Sequence, residues 1–316
     1  MAAKSTIKVP HLGGIDAGYR VSGSGIDSSK PTLVLVNSMC TASSLFEAQF
    51  SAQELTDKVN LLAIEPLGHG ATSSKSEHFT YWDSAIMNLQ VMEALGVDKA
   101  FALGTSAGGW IVVRMALLAL KRYVSLKKYK STFGSGLFSY PILGVLPLGT
   151  SMDYESAESR EKGCWDPKTQ LGPFYENWHS TTPTPDFVVD DVWRGLVSSV
   201  GFGSNPSPET LAFWDETLKQ VYRGDEGRKK LRIAVVNLFE RDGLLLRLRD
   251  VKCPVYWLQG TADPVFGTTV PAEHIKLFTS SPEATLEFVE GGGHYLSATN
   301  PKEINEAILK MVNKYA

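Results

Sequence analysis

Short apolar runs alternate with longer amphipathic stretches along this chain. Thr32-Leu-Val-Leu-Val36 follows Pro31 as an unbroken β-branched and aliphatic run, the pattern of a strand buried on both faces. Residues 61–64 (Leu-Leu-Ala-Ile) and 100–103 (Ala-Phe-Ala-Leu) repeat it. Helical patterns lie between them, around 45–55 and 82–95, so strands and helices alternate as in a parallel sheet with crossover helices. The alternation returns near the end: a strand at 254–258, a helix at 271–278, a strand at 285–289 and a helix from Pro301 to about 312, with proline at its first turn. The pattern predicts an α/β fold with a mostly parallel sheet and helices on both faces.

The middle differs. From about 155 to 235 strand signals fade while helical stretches and aromatic residues accumulate, among them Trp165, Phe174, Trp178, Trp193 and Trp214. This predicts a helical lid over 151–235, inserted into a core made of 1–150 and 236–316. Trp165, Trp178 and Trp193, with Ser38 of the core, are candidate substrate-binding residues. That the aromatics only pack the lid onto the core stays open. Residues 124–143 also interrupt the pattern, between the helix starting near Ala107 and a strand at 144–148; they are first Lys-rich, then Ser/Gly/Phe-rich, without clear period. An inserted surface segment is the simplest reading, and a translated intron is the second.

Composition narrows the class. With 43% hydrophobic residues in 316, the chain can bury a sizeable core, and a net charge of −3 with no long basic run makes nucleic acid a poor partner. The three cysteines are widely spaced and lack companion histidines at metal spacing, which fits a reducing compartment and predicts no metal. The start has no apolar leader, and no segment approaches the roughly 18 apolar residues of a membrane span. A cytoplasmic monomer or homodimer is expected.

Gly104-Thr-Ser-Ala-Gly108 comes directly after a predicted strand and opens the apolar helical pattern at Trp110. A strand turning that sharply into a helix crowds its backbone, so the neighbours of Ser106 must be small and the serine is left at the tip. A serine hydroxyl needs a base to take its proton. Of the six histidines, His294 in Gly291-Gly-Gly-His-Tyr295 directly follows the last predicted strand, where a loop can carry it over the sheet edge. Asp263, in the turn after the strand at 254–258, is the carboxylate that would orient the imidazole, with Asp153 in reserve. The oxyanion donors are expected to be the N–H groups of Ala107 and of Met39, with Ser38 as the alternative for the latter. His69, between Gly68 and Gly70, reads as a structural turn.

Together, Asn37-Ser-Met-Cys, Pro66-Leu-Gly-His-Gly70, Gly104-Thr-Ser-Ala-Gly-Gly109, Gly260-Thr-Ala-Asp263 and Gly293-His294 resemble the α/β-hydrolase superfamily. Leu35-Val-Asn-Ser-Met, with Gln49 a little further on, is similar to the corresponding stretch of 3-oxoadipate enol-lactonases, although Glu65 stands where that family usually shows Asp. The resemblance implies a serine hydrolase of a small-molecule ester or lactone, working without a cofactor. A ligand receptor on the same fold, and a carbon–carbon bond hydrolase or lyase using the same residues, are the alternatives.

Overall fold

A computed structural model describes residues 5–129, 141–180, 182–203 and 206–316, with side chains omitted for 120–129. The first half holds β1 (Ser5–Val9), β2 (Ile15–Val21), β3 (Thr32–Val36), α1 (Glu47–Ser51), α2 (Gln53–Thr56), β4 (Asn60–Ile64), β5 (Ser73–Ser74), α3 (Tyr81–Ala94), β6 (Ala100–Thr105), α4 (Ala107–Tyr129) and β7 (Ile142–Leu148). Five helices follow: α5 (Ala157–Glu161), α6 (Pro167–Trp178), α7 (Asp191–Phe202), α8 (Pro208–Val221) and α9 (Gly224–Glu240). The chain then returns to the sheet with β8 (Val255–Gly260), α10 (Thr269–His274), β9 (Ala284–Val289), α11 (Leu296–Thr299) and α12 (Pro301–Tyr315).

Among the described residues nine strands form one sheet in the order β1-β2-β4-β3-β6-β7-β8-β9, with the two-residue β5 paired to β2. The six strands from β4 through β9 along this path run parallel, whereas β1 and β2 are antiparallel. The period of two along β3 places its residues on opposite faces. Leu33 and Leu35 join the cluster with Ile304 and Ile308 of α12, while Val34 and Val36 join the one with Trp110 and Val113 of α4. Both faces are covered, so the parallel strands read as continuous apolar runs.

The antiparallel strands β1 and β2 are absent from the sequence expectation. Outer β1 is exposed except at Ile7 and Val9, an alternation of only two inward residues, too short to stand out in the sequence. The helix expected around 45–55 is broken into a 3-10 turn at Ser43–Phe46 followed by α1 and α2. Within the irregular 124–143 segment, α4 continues to Tyr129 and β7 begins at Ile142, two residues before the predicted strand; 130–140 lie outside the described residues.

Candidate active site

The candidate residues collect at the C-terminal ends of the parallel strands, where an open α/β sheet leaves its crevice. Ser106 follows β6 with φ of 52°, left-handed backbone that costs a non-glycine residue about 1–3 kcal/mol unless the surroundings enforce it. Here they do. The Ser106 N–H donates to the Leu148 carbonyl at 2.8 Å, and the Ser106 carbonyl accepts from the Gly109 N–H at 2.7 Å and the Thr150 hydroxyl at 3.1 Å. A Cβ at Gly104 would lie 2.1 Å from the Gly108 carbonyl oxygen, and one at Gly108 would lie 2.0 Å from that of Val36. The crowding anticipated from the glycines is therefore real: backbone occupies the space that side chains would need.

Asp263 and His294 come together from the turns after β8 and β9. His294 Nδ1 lies 3.0 Å from Asp263 Oδ2 and 3.1 Å from Oδ1. Both residues are buried. The carboxylate also accepts from the Val265 N–H at 2.8 Å and from Gln259 Nε2 at 2.8 Å. Burial pushes the Asp263 carboxyl up, but the charge of His294 and the bonds from His294, Val265 and Gln259 outweigh it and hold the group below the usual aspartate value. Gln259 had no place in the sequence reading; its signal is a fully buried polar side chain ending an otherwise apolar strand. Asp153, the reserve acid, is half-buried against Gly243, and burial pushes its carboxyl up.

Ser106 and His294 line one cavity, and among the described residues no hydrogen bond joins the hydroxyl to the ring. Such contacts commonly tighten only when substrate binds. The loop after β3 forms another wall with Ser38 and Met39. Asn37 Nδ2 fixes this loop by donating to the carbonyls of Ser38 and Thr41, and Cys40 takes a φ of 56°. Among the described residues no hydrogen bond occupies the N–H of Met39, Ser38 or Ala107. Ala107 opens α4, so its N–H also lies at the positive end of the helix dipole.

The cavity measures about 40 Å³, room for a few waters. Trp165 and Trp193 line it, whereas Trp178 does not. Trp178 stands behind Trp193, edge-on at 4.8 Å, and also packs against Phe174, so its placement in the substrate wall is corrected to a supporting one. Phe266 and Tyr295, which the sequence did not single out, flank the imidazole with ring centroids 5.8 and 5.4 Å away. Gln49 is structural, tying α1 to the C-terminal helices through Ser297 and Asn305. Glu65 accepts from the Ser43 N–H and hydroxyl and from the Ala71 N–H, holding two loops together. His69 is buried off the cavity with Nδ1 on the Leu67 carbonyl, as a turn residue. Among the described residues no group of His, Cys, Asp or Glu is arranged to hold a metal, and no helix is long and apolar enough to cross a membrane.

No curated protein matches the sequence. Solved structures do resemble it along nearly their whole length. The enol-lactonase from Burkholderia xenovorans LB400 superposes with a TM-score of 0.70 at 18% identity, over 97% of this chain and 100% of that one. A hydrolase from Pseudomonas aeruginosa PA01 gives 0.69 at 20%, over 97% and 98%. A thermophilic esterase from Thermogutta terrifontis gives 0.66 at 16%, over 98% of both chains. At these identities the likeness is one of fold. The family model described as "Alpha/beta hydrolase family" matches residues 33–307, from the strand before the Met39 loop through the helix after His294, and the chain belongs to that family.

Proposed function

We propose that the protein is a serine hydrolase that cleaves an ester or lactone bond of an apolar small molecule. The observation that carries this reading is the strained Ser106 turn sharing a single apolar cavity with an imidazole whose far nitrogen is held by a buried carboxylate. With Nδ1 committed to Asp263, the Nε2 of His294 is the nitrogen left to take a proton. In the proposed cycle the Ser106 oxygen attacks the carbonyl carbon as His294 accepts the hydroxyl proton. The tetrahedral oxyanion is stabilised by the N–H groups of Met39 and Ala107, each such donor contributing about 3–4 kcal/mol in comparable sites. Collapse expels the alcohol, which takes the proton from His294, and a water activated by His294 then releases the acyl group from Ser106. The helical segment 151–235 serves as the lid, with the end of α9 running past it to Glu240: residues of α6 and α7, and Leu238 of α9 just beyond that segment, line the cavity, so a substrate larger than a few waters enters only when they move. The enol-lactonase and esterase names among the similar structures agree with this chemistry.

The test combines labelling with turnover. A fluorophosphonate should modify Ser106, located by mass spectrometry, and Ser106→Ala should lower hydrolysis of a nitrophenyl ester by about 10⁴-fold or more. Full turnover by the Ser106→Ala protein would overturn the reading. Labelling with only a single slow turnover, together with ligand-dependent binding of another protein, would move it to a receptor.

A further inference from the structure

We propose that Thr150 and Gln259 are positioning residues that register the Ser106 turn against the Asp263–His294 pair, with the end of β7 as their common reference. The inference rests on the hydrolase reading above and goes beyond it. Ser106 follows β6, Asp263 follows β8 and His294 follows β9, so β7, which lies between β6 and β8 in the sheet, carries none of the three. Its C-terminal end nevertheless reaches all of them. The Leu148 carbonyl accepts the Ser106 N–H at 2.8 Å, and the Thr150 hydroxyl donates to the Ser106 carbonyl at 3.1 Å. The Thr150 N–H donates to Gln259 Oε1 at 3.3 Å, and Gln259 Nε2 donates to Asp263 Oδ2 at 2.8 Å. A Cβ at Gly149 would lie 2.5 Å from the His294 carbonyl oxygen, so only glycine lets the strand end come this close to the histidine loop.

The amide of Gln259 suits this place for a chemical reason. It must accept from a backbone N–H at one end and donate to a carboxylate at the other, and a side-chain amide does both without charge. A carboxyl at 259 would face Asp263 with a second anion, and an aliphatic group would leave the Thr150 N–H without this acceptor. Gln259 and Thr150 are wholly buried and neither lines the cavity, so they act through Ser106 and Asp263 and not on the substrate. Gln49 is the matched contrast. It is equally buried and off the cavity, but it uses only Nε2, on Ser297 and Asn305, and among the described residues its Oε1 has no partner.

The test joins turnover of a nitrophenyl ester to a resonance that needs no turnover. Gln259→Met and the isosteric Gln259→Glu should each lower kcat by about tenfold or more with KM within about twofold, because displaced reacting groups weaken the chemical step and not the binding. Gln49→Met should keep kcat within about twofold. Thr150→Val exchanges one hydroxyl for a methyl and keeps both Gln259 bonds; it should lower kcat about fivefold, and Thr150→Ser, which restores the hydroxyl, should recover most of that. In ¹⁵N-labelled protein the His294 Nδ1–H resonance, assigned by its loss in His294→Gln, should move in both Gln259 variants and stay in Gln49→Met. A kcat within about twofold of the parent in either Gln259 variant, an equal loss in Gln49→Met, a Thr150→Val loss that Thr150→Ser does not recover, or an unmoved Nδ1–H resonance overturns the proposal. A missing fluorophosphonate adduct on Ser106 defeats the hydrolase reading instead, and the resonance, read without substrate, then decides on its own whether Gln259 places the Asp263–His294 pair.

Discussion

A methyl group added at Gly104, Gly108 or Gly109 would meet neighbouring atoms at 2.1, 2.0 and 2.7 Å, whereas one added at Gly195 in α7 would meet nothing within 4 Å. The first three belong to the turn that presents Ser106, and the last to the helical segment above it. The turn is fixed by backbone against backbone at Gly104 and Gly108, and by the Thr150 side chain at Gly109. The helical segment is held by side chains, chiefly rings packed on rings such as Trp178 on Trp193 and Phe202 on Trp214. The difference separates two tasks. On the proposed chemistry, the Ser106 backbone is placed chiefly by groups that cannot change rotamer, whereas the walls of the cavity above it are placed by groups that can.

The comparison breaks most sharply at the carboxylate. Asp263→Asn keeps the shape of the site but replaces an acceptor of the His294 Nδ1 proton by a group that can present a donor to it, which favours the wrong tautomer. The expected loss in kcat on a nitrophenyl ester is about 10⁴-fold with KM little changed. A fall of only a few-fold would assign the orienting role elsewhere, with Asp153 as the group to examine next. Space gives the next largest effect. Gly108→Ala forces a Cβ onto the Val36 carbonyl oxygen, a backbone atom at the mouth of the Met39 loop that cannot swing aside, and should cost about 4 kcal/mol or more in urea unfolding. Gly195→Ala should instead stabilise by about 0.5–1 kcal/mol, because it restricts the unfolded chain at an open helical position. Equal costs at the two sites would remove the distinction between the turn and the helical segment.

The same division explains what the sequence could and could not disclose. β3, β4 and β6 are legible as apolar runs because both faces of each strand are covered. Gly104 and Gly108 are legible because a crowded turn admits no other residue. Asp263 and His294 follow from strand order and loop position, even though their contact spans 31 residues of chain. The role of Trp178 was not legible: nothing in a one-dimensional list of tryptophans says which ring faces a cavity and which stands behind it. Gln259 and Tyr295 escaped for a related reason: each lies within four residues of Asp263 or His294, but nothing in a list of residues says that its side chain turns toward it. β1 escaped because a mostly exposed outer strand turns only two residues, Ile7 and Val9, inward.

An effect graded with pH compares His294 with two buried histidines that do not line the cavity. His294 has a carboxylate on its ring, whereas His69 has the Leu67 carbonyl at 2.9 Å and His274 accepts the Met152 N–H at 3.2 Å on Nδ1. Burial pushes both His69 and His274 down to about 4, against the pull of the Leu67 carbonyl and Glu65 on the first and of Glu273 on the second. Each imidazole is therefore neutral in the fold and takes a proton in the unfolded chain near pH 6.5. Between pH 6.5 and 4 the unfolded chain binds more protons, so stability falls as pH drops and levels off below 4 as far as these two groups are concerned. The Asp263 carboxylate acts in a lower window: its contribution is present above the ordinary aspartate value and is lost as pH falls through its depressed one. Each histidine should contribute a slope of up to about 1.4 kcal/mol per pH unit, and about 2–3 kcal/mol across the window. Urea unfolding followed from pH 7.5 to 4.5 reads the slope directly. His274→Gln should flatten it by one proton's share whatever it does to stability at pH 7.5, because an amide in that place has nothing to titrate. An unchanged slope in both His69→Gln and His274→Gln would mean that these rings already carry a proton in the fold, and that the Met152 N–H has some other acceptor than His274.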